Sequence, residues 1–407
     1  MKVLYFHQHF STPSGSTGIR SYQMARKLVE RGHSVTMVCG AYGAGQTGLD
    51  GPYRFGRREG VVDGIRIIEI ALPYDNALGF LGRVFAFLRF AFRSIWIALR
   101  EPCDLVFATS TPLTAALPGI AARWLRKKPF VFEVRDLWPE LPREMGVIKN
   151  PVILWAMGVL EWAAYRSAHR LVALSPGMVG GIARRGVDSR RIMMIPNGCD
   201  LDLFSPEPEA ERPAGVGQDQ LLVVYSGTHG IANGLDAVLD AASVLRQHHR
   251  QDIVIMLVGE GKLKRSLQAR AQRESLSNVV FRGLMPKSEL AGLLSTADVG
   301  LQVLSNVPAF YFGTSPNKFF DYLASGLPVL CNYPGWVSEM IDKHSCGFSA
   351  APEDPVAFAE ALEYAADHRS DLKRMGAGAR QLAESEFNRD ELAGQFVDWL
   401  EGTCREY

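Results

Sequence analysis

The chain has 407 residues, which at roughly 100 to 200 residues per domain predicts two or three domains and excludes a single small module. Lysine and arginine number 44 against 43 aspartates and glutamates, so the net charge of +1 provides no global field for holding a nucleic acid. With 47% apolar and 21% charged residues the composition is that of a folded globular protein, and six scattered cysteines without a C-x-x-C pair indicate neither a zinc site nor a disulfide framework.

From the N-terminus onward, short β-branched and aromatic runs alternate with helical periods, which is the signature of parallel sheets built from βαβ units. The chain begins with such a strand and without a secretory signal, so we expect a cytoplasmic protein. The pattern lapses at 199–220, rich in proline, glycine and acids, which we interpret as an interdomain linker. The predicted strands are 3–6, 34–39, 65–70, 105–108, 130–134 and 170–174 before it, and 221–225, 253–258, 278–281, 299–303 and 329–331 after it.

Both halves open alike, with a strand, a turn rich in glycine, serine and threonine, and a helix. The turn residues are Gly15, Thr17 and Gly18 in the first half, and Gly227, Thr228 and His229 in the second. Ligands of open α/β sheets bind beyond the carboxyl ends of the strands, so we expect these turns to face a cleft between two sheets. A tight turn explains the first opening equally well. Gly259 begins a G-x-G that matches neither a dinucleotide fingerprint nor a P-loop.

The eight residues 133–140 place ionisable groups at the end of the strand at 130–134 and directly after it. Arg135 could bind a phosphate and Asp136 could bind sugar hydroxyls, at the end of a strand and beside a Trp-Pro turn. Four ionisable groups in this octet argue against a core position. The alternative is a structural Arg–Asp pair against a packed tryptophan.

The segment 76–100 is as long as a membrane span but contains four arginines, Arg83, Arg89, Arg93 and Arg100. An arginine at mid-bilayer costs about 2.5 to 3.5 kcal/mol, which disfavours a span. The mixture of arginines with Phe, Leu, Ile and Trp predicts a basic amphipathic helix on an anionic membrane surface. A buried helix with a basic exposed stripe is the alternative.

The stretch GTSPNKFFDYLASGLPVL at 313–330 is the most informative. Ser315 can cap a helix that has Pro316 and Asn317 at its start. Lys318 then lies in the first turn, where a cation opposes the positive end of the helix dipole unless an anion such as a phosphate offsets it. Asp321 follows on the same face and could accept hydrogen bonds from a ribose diol. A solvated Lys–Asp pair is the alternative.

Almost the whole chain resembles the retaining glycosyltransferases of family 4. The matching pieces are ARKLVERGHSVTMV, IPNGCDLDLF, LVGEGKLKRSL, VVFRGLMPKSEL and FFDYLASGLPVL. The resemblance implies the GT-B fold, with two facing Rossmann-like domains: an acceptor domain at 1–204, a nucleotide-sugar domain at 205–385, and a helix at 386–407 that crosses back to the first domain. RDLWPE with SPNKFFDYLASG resembles the bacterial O-antigen and exopolysaccharide subgroup that transfers N-acetylfucosamine-like sugars.

That resemblance implies a UDP-linked N-acetylamino or deoxy sugar as donor and a lipid-linked or glycan acceptor. It implies retaining, metal-independent transfer with no cofactor besides the substrate, on the inner face of the cytoplasmic membrane. The family's E-x7-E motif would place its acids at Gly313 and Asp321, so the first acid is missing and the second is shortened.

Two further departures concern the family's charged groups. The family's diphosphate-binding Arg and Lys correspond to Thr228 and Asn233, so Lys318 and Arg282 must supply that charge. A histidine of some members corresponds to Arg135, which leaves Asp136 to orient the acceptor. A nucleotide-sugar 2-epimerase of the same architecture and a non-catalytic GT-B partner subunit remain as alternatives.

Overall fold

The computed structural model describes residues 1–15, 18–41, 45–72, 79–205 and 211–407. The chain divides into two compact units, each with its own sheet. Unit 1 comprises Met1–Pro196, Gly313–Ser315 and Asp390–Tyr407, and unit 2 comprises Asn197–Phe312 and Pro316–Arg389. The assignment of acceptor binding to 1–204 and nucleotide-sugar binding to 205–385 stays a prediction.

Within the described residues, unit 1 contains an eight-stranded sheet in the order β3-β4-β2-β1-β5-β6-β7-β8. The strands are β1 (Lys2–Phe6), β2 (Ser34–Gly40), β3 (Arg57–Val62), β4 (Ile65–Ile70), β5 (Leu105–Thr109), β6 (Phe130–Val134), β7 (Arg170–Ala173) and β8 (Ile192–Met194). The helices are α1 (Arg20–Glu30), α2 (Phe80–Arg100), α3 (Leu117–Arg126), α4 (Glu140–Glu144), α5 (Pro151–Ser167) and α6 (Pro176–Arg184). All neighbouring strands are parallel except β3, which pairs antiparallel with β4.

Helices cover both faces of this sheet. Alternate residues of β1 point to opposite faces, so the strand contributes side chains to the packing on each side. Leu4 and Phe6 pack with buried residues of α2, α3, α5 and α6 on one face. Val3 and Tyr5 pack with α1 on the other face. There they also contact α15 (Arg389–Glu406), which contributes Leu392, Phe396 and Leu400. The predicted C-terminal helix is therefore confirmed as part of the first sheet's core.

Unit 2 contains, in its described part, a six-stranded and entirely parallel sheet in the order β11-β10-β9-β12-β13-β14. The strands are β9 (Leu221–Ser226), β10 (Ile253–Val258), β11 (Val279–Arg282), β12 (Val299–Gln302), β13 (Val329–Cys331) and β14 (Gly347–Ser349). The helices are α7 (Asp236–Gln247), α8 (Lys264–Arg273), α9 (Lys287–Thr296), α10 (Pro308–Gly313), α11 (Asn317–Ala324), α12 (Trp336–Lys343), α13 (Pro355–Asp367) and α14 (Arg369–Glu386).

The predicted alternation of strands and helices in two halves is confirmed, but the linker prediction is wrong for the start of its range. Cys199 donates its backbone N–H to the Phe387 carbonyl at 2.7 Å, and Phe204 is buried. The Phe204 carbonyl accepts a hydrogen bond from Arg380 of α14 at 3.0 Å. Residues 199–205 are thus packed into unit 2, because a few isolated apolar side chains suffice to anchor a segment without any apolar period. Residues 206–210 lie outside the described chain.

Candidate functional site

The amino group of Lys318 is the central feature of unit 2. Lys318 is the second residue of α11, which begins at Asn317 after the N-cap residue Pro316. The prediction that Ser315 caps this helix is wrong, because proline occupies the cap position and offers no side-chain acceptor. All three residues before Lys318 are half-buried, so the helix start is only partly covered by protein.

Lys318 has no carboxylate partner among the described residues. Its Nζ lies 3.5 Å from Asn233 Oδ1 and 4.8 Å from the centre of the Tyr225 ring, and it forms no ion pair. Burial and the charge of Lys287 together lower the pKa of Lys318 to about 8, against the opposing effect of Asp321. A half-buried cation at the positive end of a helix dipole is a suitable site for an anion.

Asp321 lies one turn further along α11 and is almost fully buried. Its Oδ2 accepts a hydrogen bond from Nζ of Lys287, the first residue of α9. The alternative of a Lys318–Asp321 pair is therefore wrong, because Asp321 is paired with Lys287. Sequence reasoning missed Lys287, although it lies in the MPKSEL piece that supported the family resemblance.

Two glycine loops follow β9 and β10 and touch one another. Gly227 has a φ of +155°, and a Cβ on it would lie 2.9 Å from Lys318 Cε. Gly259 has a φ of +142°, and a Cβ there would lie 1.9 Å from the Gly227 carbonyl oxygen. Both positions therefore require glycine, for the backbone conformation and for the close approach. Thr228 is exposed, and its carbonyl accepts a hydrogen bond from the Tyr225 hydroxyl at 3.0 Å.

His229 and Lys264 hold these loops together. The backbone N–H of His229 donates to the Glu260 carbonyl at 2.9 Å, and its imidazole is buried between Tyr225 and Phe281. Burial and the Lys264 charge lower the pKa of His229 to about 4, so the imidazole is neutral at pH 7. His229 thus supports the glycine loops through its backbone, whereas both of its ring nitrogens are buried without a hydrogen-bond partner among the described residues. Its role in donor binding stays a prediction.

Arg282 contributes its backbone, and not its charge, to this region. Lys264 Nζ donates to the carbonyls of Gly259 at 2.9 Å and Arg282 at 2.8 Å. The Arg282 guanidinium lies 3.5 Å from the Ala214 carbonyl oxygen. The predicted role of Arg282 in holding a diphosphate therefore needs its side chain to leave that contact.

Unit 1 has its own polar cluster, at the carboxyl ends of β1, β5 and β6. Glu133 is fully buried. The sequence argument against a core position is therefore wrong for this residue. Its Oε2 accepts two hydrogen bonds from Arg20 at 3.0 and 2.8 Å, and Thr109 donates to its Oε1 at 2.7 Å. Burial raises the pKa of Glu133, but the charges of Arg20 and Arg135 and these hydrogen bonds outweigh it and leave the pKa low.

Arg135 and Asp136 follow directly after β6, and each has a polar neighbour. Arg135 Nη1 lies 3.4 Å from Nε2 of the buried His7, and Thr111 donates to Asp136 Oδ2 at 2.9 Å. The alternative of a direct Arg135–Asp136 pair finds no support among the described ion pairs, because Asp136 is hydrogen-bonded to Thr111. Burial raises the pKa of Asp136 despite the hydrogen bond from Thr111 and the charge of Arg135.

His7 and its neighbour Gln8 supply polar atoms that sequence reasoning missed. Burial, with the charges of Arg135 and His9, lowers the pKa of His7 well below its usual range, so its ring is neutral. Its Nε2 faces the arginine, which leaves the proton on Nδ1, and Nδ1 has no partner among the described residues. Within the same part of the chain, both amide atoms of Gln8 are buried without a partner as well. Unsatisfied buried polar atoms at the end of a strand are costly and mark a site that a polar ligand could complete.

The first glycine turn is only partly described. The Gly15 amide donates to the Thr12 carbonyl at 3.1 Å, so it is used within the turn and is not open to an anion. Gly18 is half-buried just before α1, and Thr17 lies outside the described residues.

The arginines of α2 differ in their surroundings. Arg83 and Arg89 are exposed, whereas Arg93 donates to the Gly56 carbonyl at 2.8 Å. Arg100 stacks on Trp96 at 3.8 Å. No helix of the described chain has the length and apolar character needed to cross a membrane. The described residues also contain no group of three His, Cys, Asp or Glu side chains placed to hold a metal ion.

Comparison with known proteins identifies the class that this fold and site define. Residues 15–198 match the glycosyl transferase 4-like domain, and residues 220–368 match the glycosyl transferases group 1 domain. The chain therefore belongs to the glycosyltransferases with the GT-B fold.

The chain is similar to several members of that class. It is 24% identical to the probable glycosyltransferase WbjE of Pseudomonas aeruginosa over 70% of this chain and 71% of WbjE. It is 23% identical to WcaI of Escherichia coli K12, named as a colanic acid biosynthesis glycosyl transferase, over 99% of this chain and 100% of WcaI. Among solved structures, Anabaena Alr3699/HepE in complex with UDP-glucose superposes with a TM-score of 0.71 at 17% identity, covering 99% of this chain and 100% of that chain.

Proposed function

We propose that this protein is a retaining glycosyltransferase that moves a UDP-linked N-acetylamino or deoxy sugar to a lipid-linked or glycan acceptor in bacterial surface polysaccharide synthesis. The observation that supports the proposal is the half-buried Lys318 amino group, which has no carboxylate partner in the described part of the chain and lies at a helix start against the Gly227 loop. Such a group fits the diphosphate of a nucleotide sugar.

The donor is held by groups of unit 2. The Lys318 ammonium binds the diphosphate and stabilises the negative charge that grows on it as the sugar–phosphate bond breaks. Asp321, oriented by the hydrogen bond from Lys287, accepts hydrogen bonds from the ribose hydroxyls. Crystals of HepE contain UDP-glucose, which supports uridine as the base.

The acceptor hydroxyl is oriented by groups of unit 1. Asp136 accepts its hydrogen bond, and the His7 Nδ1 proton together with the Gln8 amide supplies donors and acceptors for the neighbouring hydroxyls. The leaving phosphate takes the acceptor proton on the same face of the sugar, so the anomeric configuration is kept. No metal and no cofactor besides the donor take part in this mechanism.

The experiment is to incubate the protein with a panel of UDP-sugars and lipid-diphosphate-linked acceptors, and to measure UDP release. We expect release from one donor that requires an acceptor, and its loss in Lys318→Ala. Formation of a free sugar epimer without acceptor would favour a nucleotide-sugar 2-epimerase. No acceptor-dependent release from any donor would favour a non-catalytic partner subunit.

The acceptor class also bears on where the protein acts. A lipid-linked acceptor lies in the membrane, and the basic helix α2 supports peripheral attachment to the inner face of the cytoplasmic membrane. Arg93 does not contribute to such attachment in this structure, because it is tied to the Gly56 carbonyl.

A further inference from the structure

Three neighbouring helices of unit 1 expose large apolar side chains on the same side of the sheet. Their inward residues, among them Phe90 of α2, Ala122 of α3 and Tyr165 of α5, belong to one buried cluster, so the outer sides of these helices point the same way. We call the outward set the aromatic face. It consists of Phe85, Leu88, Phe92, Trp96, Trp124, Leu125, Val152, Trp155, Val159 and Trp162.

The tryptophans show that this exposure is not the ordinary scatter of apolar side chains over a surface. The chain has seven tryptophans, and the four that are exposed all lie on the aromatic face. Trp96, Trp124, Trp155 and Trp162 are 51%, 63%, 70% and 59% exposed, respectively. A concentration of exposed aromatic side chains on neighbouring helices marks an interaction surface.

Helix α5 shows this apolar exposure most clearly. Its exposed residues Val152, Trp155, Val159 and Trp162 recur at helical spacing, and its single acid, Glu161, is buried and paired with Arg185 at 2.9 Å. A surface helix normally turns a polar face outward. The outer side of α5 is apolar instead, which is the pattern expected of a helix that rests in an apolar medium.

The three helices form a fixed platform and not separate flexible arms. Trp124 Nε1 of α3 donates to Ser167 Oγ of α5 at 2.9 Å. Arg126 of α3 donates to the carbonyls of Ala98 and Glu101 at the end of α2, both at 2.7 Å. A surface that is already ordered loses little conformational entropy when it docks.

The charges of the three helices indicate what binds to the aromatic face. Helix α2 contains four arginines, α3 two and α5 one, whereas the only acid in the three helices is the buried Glu161. Two of these arginines, Arg93 and Arg126, are used within the fold, where they donate to backbone carbonyls. Lys127 and Lys128 follow α3 directly. Tryptophan and arginine side chains together favour the headgroup region of a bilayer, where the rings enter the acyl boundary and the cations meet anionic lipids.

We propose that the aromatic face docks on an anionic lipid bilayer, with Trp96, Trp124, Trp155 and Trp162 inserted at its interface. The anchor is thus shared by three helices and extends well beyond the arginines of α2. This inference rests on the proposed function, because it concerns how the protein reaches a lipid-linked acceptor. Lipid binding is measured without donor or acceptor, so membrane docking and glycosyl transfer can each fail independently of the other.

The test measures binding of the full-length chain to vesicles by flotation. Vesicles are made of equal parts phosphatidylglycerol and phosphatidylcholine, with pure phosphatidylcholine as the second arm. We expect binding to the anionic vesicles that weakens with salt, and a loss of roughly tenfold or more in Trp155→Ser/Trp162→Ser, because two large rings leave the interface. Val61→Ser/Val356→Ser, which removes two exposed apolar side chains elsewhere, should bind like the parent.

A second pair of variants tests the charge. Arg89→Ser/Arg166→Ser should weaken binding to anionic vesicles by at least about tenfold, from about fivefold per arginine near an anionic surface. Binding to pure phosphatidylcholine should change little. The control Arg374→Ser/Arg405→Ser removes two exposed arginines that lie off the aromatic face and should leave binding unchanged.

Tryptophan quenching by brominated lipids keeps the test decisive if a variant fails to fold. In the parent protein, we expect quenching by anionic vesicles that carry bromine near the acyl boundary. Absence of both flotation and quenching in the parent would overturn the proposal, as would unchanged binding of the folded tryptophan variant. Sedimentation velocity tests the alternative of a second copy of the chain. A stable dimer that does not bind vesicles and that dissociates in Trp155→Ser/Trp162→Ser would overturn the proposal and assign the face to a dimer interface.

Discussion

Replacing Lys318 by methionine separates a lysine that binds an anion from one that stabilises the fold. Burial lowers the pKa of Lys318 from 10.5 to about 8. A lowering of that size costs the charged form at most about 3 kcal/mol, and solvent screening of a half-buried group reduces this to roughly 1 to 2 kcal/mol.

The sign of the effect on stability follows from that direction. A lysine whose pKa is lower in the folded state destabilises the fold when charged, and this cost appears as the pH falls from about 10.5 to about 8. At pH 7 the cost is fully present. Lys318→Met should therefore keep or slightly raise the free energy of unfolding, measured by urea denaturation, while it weakens donor binding.

The donor side of the prediction is measured by isothermal titration calorimetry with UDP-glucose, whose diphosphate does not titrate near neutral pH. With a pKa of about 8, the charged fraction of Lys318 falls from roughly 90% at pH 7 to roughly 10% at pH 9, so the affinity should fall about tenfold. Lys318→Arg should abolish this pH dependence, because a guanidinium stays charged. Unchanged affinity together with lower stability in Lys318→Met would refute the reasoning.

Three further predictions concern the two polar clusters and the glycine loops. Gly259→Ala should weaken UDP-glucose binding tenfold or more, because the added Cβ would lie 1.9 Å from the Gly227 carbonyl oxygen. The control is Gly292→Ala, whose added Cβ would have nothing within 4 Å, and equal affinities of the two variants would contradict the loop assignment. Asp136→Asn should raise the KM for acceptor and leave the KM for donor unchanged, and the opposite split would remove Asp136 from the acceptor site. Arg20→Met should lower the free energy of unfolding by about 3 to 5 kcal/mol, because it leaves Glu133 buried and unpaired. The half-exposed ion pair of Arg26 is the control, and a loss below about 1 kcal/mol in Arg20→Met would contradict the role of the buried pair.

The strands that build both sheets could be predicted because each is a compact apolar run. Three strands, β3, β8 and β14, were missed. β3 is an edge strand that begins with charged residues and pairs antiparallel, and β8 and β14 are only three residues long. Their pairing is decided by the neighbouring strand, which local sequence does not reveal.

The candidate site could be predicted only where the chemistry is local. Lys318 at a helix start is visible from the stretch around it. Glu133 was misplaced because its partner Arg20 lies 113 residues away, and Lys287 was missed because it meets Asp321 across 34 residues. Arg93 was grouped with the exposed arginines, since nothing in the helix itself reveals its contact with Gly56.

The most direct test of the central claim is the anomeric configuration of the first product. The enzyme is incubated with the donor and acceptor selected by UDP release, and the reaction is followed by proton NMR from its earliest turnovers. The account predicts an acceptor-dependent glycoside with the same anomeric configuration as the sugar in the UDP donor, absent in Lys318→Ala. A glycoside of inverted configuration, or transfer that continues unchanged in Lys318→Ala, would contradict it.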